Sequence, residues 1–209
     1  SIISNDNVMW NYGIPDHRSF SAIDIDDDGI DELVYSNTNG QLITAKVCAS
    51  SNSLSITSAS LFEGNITRFG ALWGDYDGDA KPEVIIPVSN VDYFFCYGFD
   101  NSSSNIVYDI STDFDVVING DFNGDGKCEL ITIKGYDYKI WSYKVNAGRW
   151  TCISSGMLPG KCVSCQSGDL NGDGISDLVM LLKTSRTTWK WFAAIKKGTT
   201  ADWAYTAIP

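Results

Sequence analysis

The pattern of hydrophobic and polar residues along the chain repeats four times. In each repeat a run of β-branched and aliphatic residues follows a polar, glycine-containing segment; the runs are residues 33–35, 84–86, 130–132 and 178–180. Strand-like residues also precede the polar segment, as at 69–73 and 116–118. This arrangement predicts two β-strands joined by a polar loop in every repeat.

Two more strand-like stretches follow in the later part of each repeat. Alternating aromatic residues occur at 93–97 and 139–143, and a fourth run follows at 149–153. No segment has a convincing helical period. The pattern therefore predicts an all-β chain in which each unit contributes four short strands.

The polar segments share one motif, which begins at residues 24, 75, 121 and 169, at intervals of 51, 46 and 48 residues. A period of about 48 residues suits four short strands with their turns, the size of a propeller blade. Turns of β-proteins are often rich in Asp, Asn and Gly. An ordinary turn, however, does not need oxygen ligands at alternating positions in four copies. We therefore interpret the loops at 24–32, 75–83, 121–129 and 169–177 as metal sites.

The residue types in these loops indicate calcium, a hard cation that takes six to eight oxygen ligands, often from alternate loop residues. Positions 1, 3 and 5 of the loops are Asp24, Asp26, Asp28; Asp75, Asp77, Asp79; Asp121, Asn123, Asp125; and Asp169, Asn171, Asp173. Position 9 is always a carboxylate: Glu32, Glu83, Glu129 and Asp177. Position 7 needs only a backbone carbonyl, and is Ile30, Lys81, Lys127 and Ile175. The sequence thus predicts about four structural calcium ions.

Position 6 of the loop distinguishes the second repeat from the others. Three loops have glycine there, which permits a sharp turn with positive φ, whereas the second has Ala80. A Cβ in that conformation costs roughly 1–2 kcal/mol. We therefore expect the second site to be the weakest or the most distorted.

An EF-hand is the other common source of such a motif. It needs a bidentate Glu at position 12 and flanking helices. Position 12 falls inside a predicted strand in all four repeats, where it is Tyr35, Ile86, Thr132 or Met180. The EF-hand interpretation is therefore excluded.

The pattern Asp-x-[Asp/Asn]-x-Asp-Gly-x-x-[Asp/Glu], followed by Leu or Val, resembles the FG-GAP/VCBS repeats of integrin α-subunit propellers and related secreted lectins. The resemblance extends over nearly the whole chain. It implies a single β-propeller domain at 1–209, with four-stranded antiparallel blades and a calcium loop between the first two strands of each. The Phe-Gly pair survives only as Phe69-Gly70, and propellers of this family usually have seven or eight blades, whereas four motifs are present here.

The two ends of the chain resemble each other. Residues 8–15 are similar to 203–209 and to 150–159, so the chain carries four blades plus one extra strand. That strand either reinforces the closing blade of a four-bladed ring or pairs with a neighbouring molecule. The second alternative would give self-association through head-to-tail contacts.

Composition and charge narrow the possible partners. Hydrophobic residues make up 44% and charged residues 20% of the chain, which describes an ordered globular protein. The net charge of −11 argues against nucleic acid as a partner. No apolar run is long enough to span a bilayer and no leader pattern begins the chain, so we expect a soluble, mature or trimmed protein without membrane insertion.

Cysteines and glycosylation motifs favour an extracellular, secreted protein. Sequons occur at Asn65 and Asn101. The cysteines are six in number, and 15 pairings of them are possible. We expect disulfides from Cys162 or Cys165 to a cysteine of the preceding unit, Cys128 or Cys152. The Cys162–Cys165 spacing also occurs in zinc sites, but zinc needs a second pair.

The favoured function is a non-catalytic binding module, with lectin-like recognition of glycans. Trp10, Trp150 and Trp203 recur at equivalent strand positions, which predicts core packing rather than ligand contact. Trp189 and Trp191 face the same side of a predicted strand, either as an exposed platform or as a contact between blades. No sugar site is assigned from the sequence.

Two other functions remain open. A structural or adhesive protein would recognise extracellular proteins or itself. A propeller-based polysaccharide lyase or hydrolase is less favoured, because His17 is the only histidine and no nucleophile-elbow or metalloprotease motif surrounds it. Only Glu63 lies outside the acidic loops among the glutamates. We therefore expect no catalysis.

Overall fold

The computed structural model describes residues 20–24, 28–36, 41–50, 53–63, 71–87, 94–98, 105–107, 109–197 and 203–209. Within these residues the chain forms sixteen strands and no α-helix, which confirms the all-β prediction. One 3₁₀ turn, Val145–Ala147, joins the eleventh and twelfth strands. The same residues contain no helix that is long and apolar enough to cross a membrane.

The strands form four sheets, each made of four strands that are consecutive in the sequence. The first sheet contains β1 (Phe20–Ile23), β2 (Glu32–Ser36), β3 (Gln41–Ser50) and β4 (Ser53–Glu63). The second contains β5 (Leu72–Gly74), β6 (Glu83–Pro87), β7 (Phe94–Tyr97) and β8 (Asn105–Val107). The third contains β9 (Val116–Gly120), β10 (Glu129–Lys134), β11 (Asp137–Lys144) and β12 (Arg149–Met157). The fourth contains β13 (Lys161–Gly168), β14 (Asp177–Lys183), β15 (Trp189–Lys196) and β16 (Trp203–Ile208).

Each acidic loop joins the first two strands of its sheet, as the sequence predicted. The first strand ends at the residue before position 1, and the second strand begins at position 9 in all four repeats. Within the described residues, paired neighbouring strands run antiparallel. The four predicted aliphatic runs lie in β2, β6, β10 and β14.

The chain divides into two compact units. One comprises Ser1–Ala71 with Ile85–Val91, and the other comprises Leu72–Val84 with Asp92–Pro209. The first unit contains the sheet β1–β4, in which Val34 and Ala45 are buried. A single closed ring over residues 1–209 stays a prediction.

The core of the second unit lies between the third and fourth sheets. Ile131, Ile133 and Ile140 pack in one cluster with Met180 and Leu182 of β14. The first five residues of β10 are all buried, whereas β14 alternates between buried and half-buried positions. The fourth sheet therefore has one face in the core and one face that is less covered.

The recurring tryptophans behave as predicted where they are described. Trp150 is only 3% exposed, and its ring lies 5.5 Å from Tyr76 and 5.6 Å from Tyr143 between centroids. Trp203 is half-buried and packs 6.2 Å from Phe122. Trp150 is a core residue and Trp203 packs against the core, which supports their assignment as packing rather than ligand contacts. Trp10 and the rest of residues 8–15 lie outside the described residues, so the extra strand stays a prediction.

The cysteine pairing differs from the prediction. Cys96, Cys128, Cys152, Cys162 and Cys165 are unlinked thiols. A bulge between Cys162 and Ser164 places Cys162 opposite Leu182 and Cys165 opposite Met180, so both thiols enter the same core and contact each other. Cys152, in contrast, is exposed. The structure therefore lacks the expected disulfide between Cys162 or Cys165 and the preceding unit.

Candidate metal centres

The first Asp of each loop holds the loop backbone together. Its Oδ2 accepts the N–H of position 6 in all four repeats, at 2.7–3.0 Å. In the fourth loop Asp169 also accepts the Gly172 N–H on Oδ1 at 2.7 Å, and these N–H groups lower the pKa of Asp169. Short acidic side chains favour such turns because they can bond to nearby N–H groups. The loop conformation is thus already formed by its own side chains.

The carboxylate at position 5 makes a second contact that recurs in all four loops. Its Oδ1 accepts the N–H of position 7 at 2.9–3.0 Å in every loop. An ionised carboxylate has about four lone-pair sites, so one such bond leaves capacity for a cation. Position 7, which is Ile30, Lys81, Lys127 or Ile175, therefore takes part in the loop through its backbone N–H. Its carbonyl as a metal ligand stays a prediction.

The carboxylate at position 9 is the buried acidic side chain among the described residues of each loop. Glu32, Glu83, Glu129 and Asp177 are at most 5% exposed. In the three later loops this carboxylate accepts the N–H of position 2 at 2.7–3.0 Å. Burial raises the pKa of both Glu83 and Glu129 to about 7. A buried carboxylate that ionises needs a compensating positive charge, and a bound cation supplies one.

The second loop brings its four carboxylates together. One oxygen each from Asp75, Asp77, Asp79 and Glu83 lies within 4.8 Å of all the others. Oxygens that share a calcium ion at 2.3–2.6 Å lie at most about 5 Å apart, so this geometry fits calcium. Ala80 has φ of 66°, the only positive value at a non-glycine residue in the described chain, which confirms the predicted strain. The convergent carboxylates nevertheless argue against this loop being the most distorted.

The third and fourth loops use Asn at position 3. Asn123 Nδ2 donates to Asp125 Oδ2 at 3.2 Å and to Glu129 Oε1 at 2.7 Å. Asn171 Nδ2 donates to Asp173 Oδ2 at 3.1 Å. The amide N–H groups here bond to carboxylates that the sequence assigned to calcium. A bound cation would replace these donors, with the amide oxygen as its ligand.

Backbone hydrogen bonds join neighbouring loops of the second unit. The Cys128 N–H donates to the Asp75 carbonyl at 2.7 Å, and the Ser176 N–H donates to the Asp121 carbonyl at 2.6 Å. Each bond runs from position 8 of one loop to position 1 of the loop before it. Positions in one loop are therefore fixed partly by the next repeat.

Two glycines allow this close approach. A Cβ on Gly74 would lie 2.5 Å from Cys128 Sγ, and a Cβ on Gly120 would lie 2.7 Å from Ser176 Oγ. Our interpretation of the sequence missed these residues. The signal was present, because a glycine precedes the first Asp in three of the four loops.

Several predicted site residues cannot be placed. Asp26, the sequon residues Asn65 and Asn101, and His17 lie outside the described residues. The predicted glycosylation therefore stays a prediction.

Fold and loops together define a class: a protein of four-stranded antiparallel repeats with acidic loops between the first two strands of each. Residues 121–180 match a protein-family model described as FG-GAP-like repeat. This segment includes the third and fourth acidic loops and is an FG-GAP/VCBS-type repeat, which confirms the resemblance found in the loop motif. A search of curated protein sequences gives no match.

The contact between loops predicts which glycine tolerates a methyl group. Gly120→Ala should lower the free energy of unfolding by about 1–3 kcal/mol, because its Cβ overlaps Ser176. Gly168→Ala is the matched control, since a Cβ there meets nothing within 4 Å. Urea denaturation in excess calcium measures both. Equal effects of the two substitutions would contradict the proposed contact.

The strained residue of the second loop predicts a stabilising substitution. Ala80→Gly should raise the free energy of unfolding by about 0.5–1 kcal/mol, because relief of the left-handed strain exceeds the extra chain entropy of glycine. Ala22→Gly, at an exposed β1 position with ordinary φ, should instead lower it. Urea denaturation curves of the two variants in calcium distinguish them. A loss of stability in Ala80→Gly would contradict the strain argument.

The raised pKa values of Glu83 and Glu129 predict how calcium-free stability depends on pH. Between about pH 4.5 and 7 the folded protein keeps protons that the unfolded chain has released, so stability is higher at the acidic end and falls as pH rises. Excess calcium should remove this decline, because calcium binds the ionised form. Melting temperatures in chelator and in calcium, from about pH 5 to 8, measure both effects.

Glu83→Gln with Glu129→Gln provides the control for that experiment. The double variant should flatten the pH profile in chelator, because its amides do not titrate. A wild-type protein that gains stability in chelator across the same window would contradict the prediction.

Proposed function

We propose that this protein is a calcium-stabilised, extracellular β-propeller module that binds glycans and does not catalyse a reaction. The observation that carries the glycan part is a pair of exposed aromatic side chains on β15. Trp189 is 62% exposed and Trp191 is 48% exposed. Residues two apart on a strand face the same side, so the two indole rings belong to one surface.

The strand register shows what surrounds this surface. Trp189 lies opposite Lys183, and Trp191 lies between Leu181 of β14 and Ile208 of β16. Directly opposite residues share a face of an antiparallel sheet. Ile208 is 42% exposed, so the aromatic pair continues into an apolar strip with a lysine at one end. Apolar sugar faces pack on such aromatic rings, and flanking polar groups bind hydroxyls.

Calcium is the proposed structural cofactor. The convergent carboxylates of the second loop and the FG-GAP match over 121–180 support calcium binding. Four calcium ions would change the net charge from −11 to about −3 and so relieve repulsion among the loop carboxylates. Calcium-rich extracellular fluid suits such a cofactor, which is our reason for proposing secretion.

The distribution of buried carboxylates supports a role without catalysis. Among the described residues, the buried acidic side chains are the four position-9 carboxylates of the loops. Glycoside hydrolysis uses two carboxyl groups with different protonation roles at one site. Since these four serve the proposed calcium loops, we propose binding rather than turnover.

Glycan binding to the aromatic surface is directly testable. Trp189→Ala with Trp191→Ala should reduce binding on a glycan array, and then to the best glycan in calorimetry, by at least about tenfold. Tyr136→Ala is the matched control, because Tyr136 is an exposed aromatic (49%) outside the fourth sheet. Equal loss in both variants, or no glycan bound by the wild type, would contradict the proposal.

Self-association is the second candidate function, and a different feature favours it. β16 forms the edge of the fourth sheet, so its outer side can pair with another strand. In that case sedimentation velocity should show calcium-dependent oligomers that dissociate on chelation. A monomer in calcium at all accessible concentrations would exclude this function.

A further inference from the structure

Lys46 on β3 contacts two carboxylates of the first acidic loop. Its Nζ donates to Asp28 Oδ2 and lies 3.4 Å from Glu32 Oε1. Asp28 and Glu32 occupy positions 5 and 9 of the loop, two of the positions assigned to calcium. The ammonium group thus takes part of the place that a metal ion would take.

Strand register explains why Lys46 reaches this loop. Leu33 pairs with Ala45, which places Lys46 opposite Glu32 at the start of β2. In the third and fourth sheets the same register places Ser142 opposite Glu129 and Ile195 opposite Asp177. These two residues carry no charge.

In the second repeat a glycine lies beside the position-9 carboxylate. This residue is Gly98, and a Cβ added to it would lie 3.3 Å from Glu83 Cα. Lysine therefore occupies this position in the first repeat, whereas the later repeats have glycine, serine and isoleucine.

The chemistry of the lysine fits the role of a cation. An ammonium group has three donors and a compact positive charge, and Glu32 is a buried carboxylate that needs such a partner. The hydrogen bond from Lys46 also lowers the pKa of Asp28. Calcium could use these carboxylates only after the ammonium group had moved away.

We infer that the Lys46 ammonium group supplies the positive charge of the first loop when calcium is absent. Calcium therefore binds at the second, third and fourth loops at lower concentrations than at the first. The inference rests on the calcium binding proposed above. It assigns the weakest calcium site to the first loop, where the sequence had pointed to the second. The first repeat would thereby keep its loop charge balanced when calcium is scarce.

Calcium titration followed by native mass spectrometry and calorimetry tests the order of loading. Wild-type protein should take up three ions first, and a fourth at no less than about tenfold higher calcium concentration. Lys46→Ser and Lys46→Met should bind all four ions in the concentration range of the first three. Lys161→Ser, which removes an exposed lysine of β13, should behave like the wild type. Four equivalent ions on the wild type, unchanged by either Lys46 variant, would overturn the inference.

Thermal unfolding in chelator gives an independent measurement. Lys46→Met should melt at a lower temperature than the wild type, by roughly 5 °C, because Glu32 loses its positive partner. Adding Glu32→Gln to Lys46→Met should recover part of the loss, because no buried charge then remains at position 9. Equal melting temperatures of the wild type and Lys46→Met would overturn the inference. Absence of calcium from every variant would instead contradict the proposed cofactor, so the two failures are distinguishable.

Discussion

Burial of one carboxylate at the start of the second strand is the constraint on which each repeat depends. The residues concerned are Glu32, Glu83, Glu129 and Asp177, all nearly inaccessible to solvent. An ionised carboxylate in such a position is unfavourable unless donors and a cation compensate it. In the later loops the position-2 N–H supplies one donor. In the second loop the three other carboxylates converge with the buried one, which suits a divalent cation. The start of the second strand, the turn before it and the proposed metal-binding residues therefore all depend on the same buried carboxylate.

Backbone hydrogen bonds between neighbouring loops extend this constraint from single loops to successive repeats. The carbonyls of Asp75 and Asp121 each accept an N–H from the following loop, while their side chains shape their own loops. A cation that ordered one loop would therefore also position a backbone acceptor for the next loop. Pro82, at position 8 of the second loop, has no N–H, so this repeat cannot donate an equivalent bond to a preceding one. Among the described residues, these backbone bonds therefore link the second, third and fourth loops.

Local patterns in the sequence predicted the repeat, the four strands of each sheet, the loop positions and the strain at Ala80. These features depend on residues close together in the chain, such as the alternating Asp residues of a loop. Lys46 and Gly120 were missed because their partners are set by strand register and by contact between repeats. The Cys162–Cys165 pair was misassigned for a related reason. Residues three apart on a regular strand face opposite sides, and only the bulge after Cys162 turns both thiols inward.

The position of the aromatic pair limits how calcium can affect ligand binding. The fourth loop ends at Asp177, whose Oδ1 accepts the N–H of Lys196 at the far end of β15. Trp191 lies five residues earlier on that strand, about 17 Å away at a rise of 3.3–3.4 Å per residue. A sugar bound at the proposed Trp189 and Trp191 surface would therefore lie too far from the fourth loop to share a calcium ion held there. Calcium would act on glycan binding by ordering β14 and β15, so chelation should weaken binding only as far as it loosens the sheet.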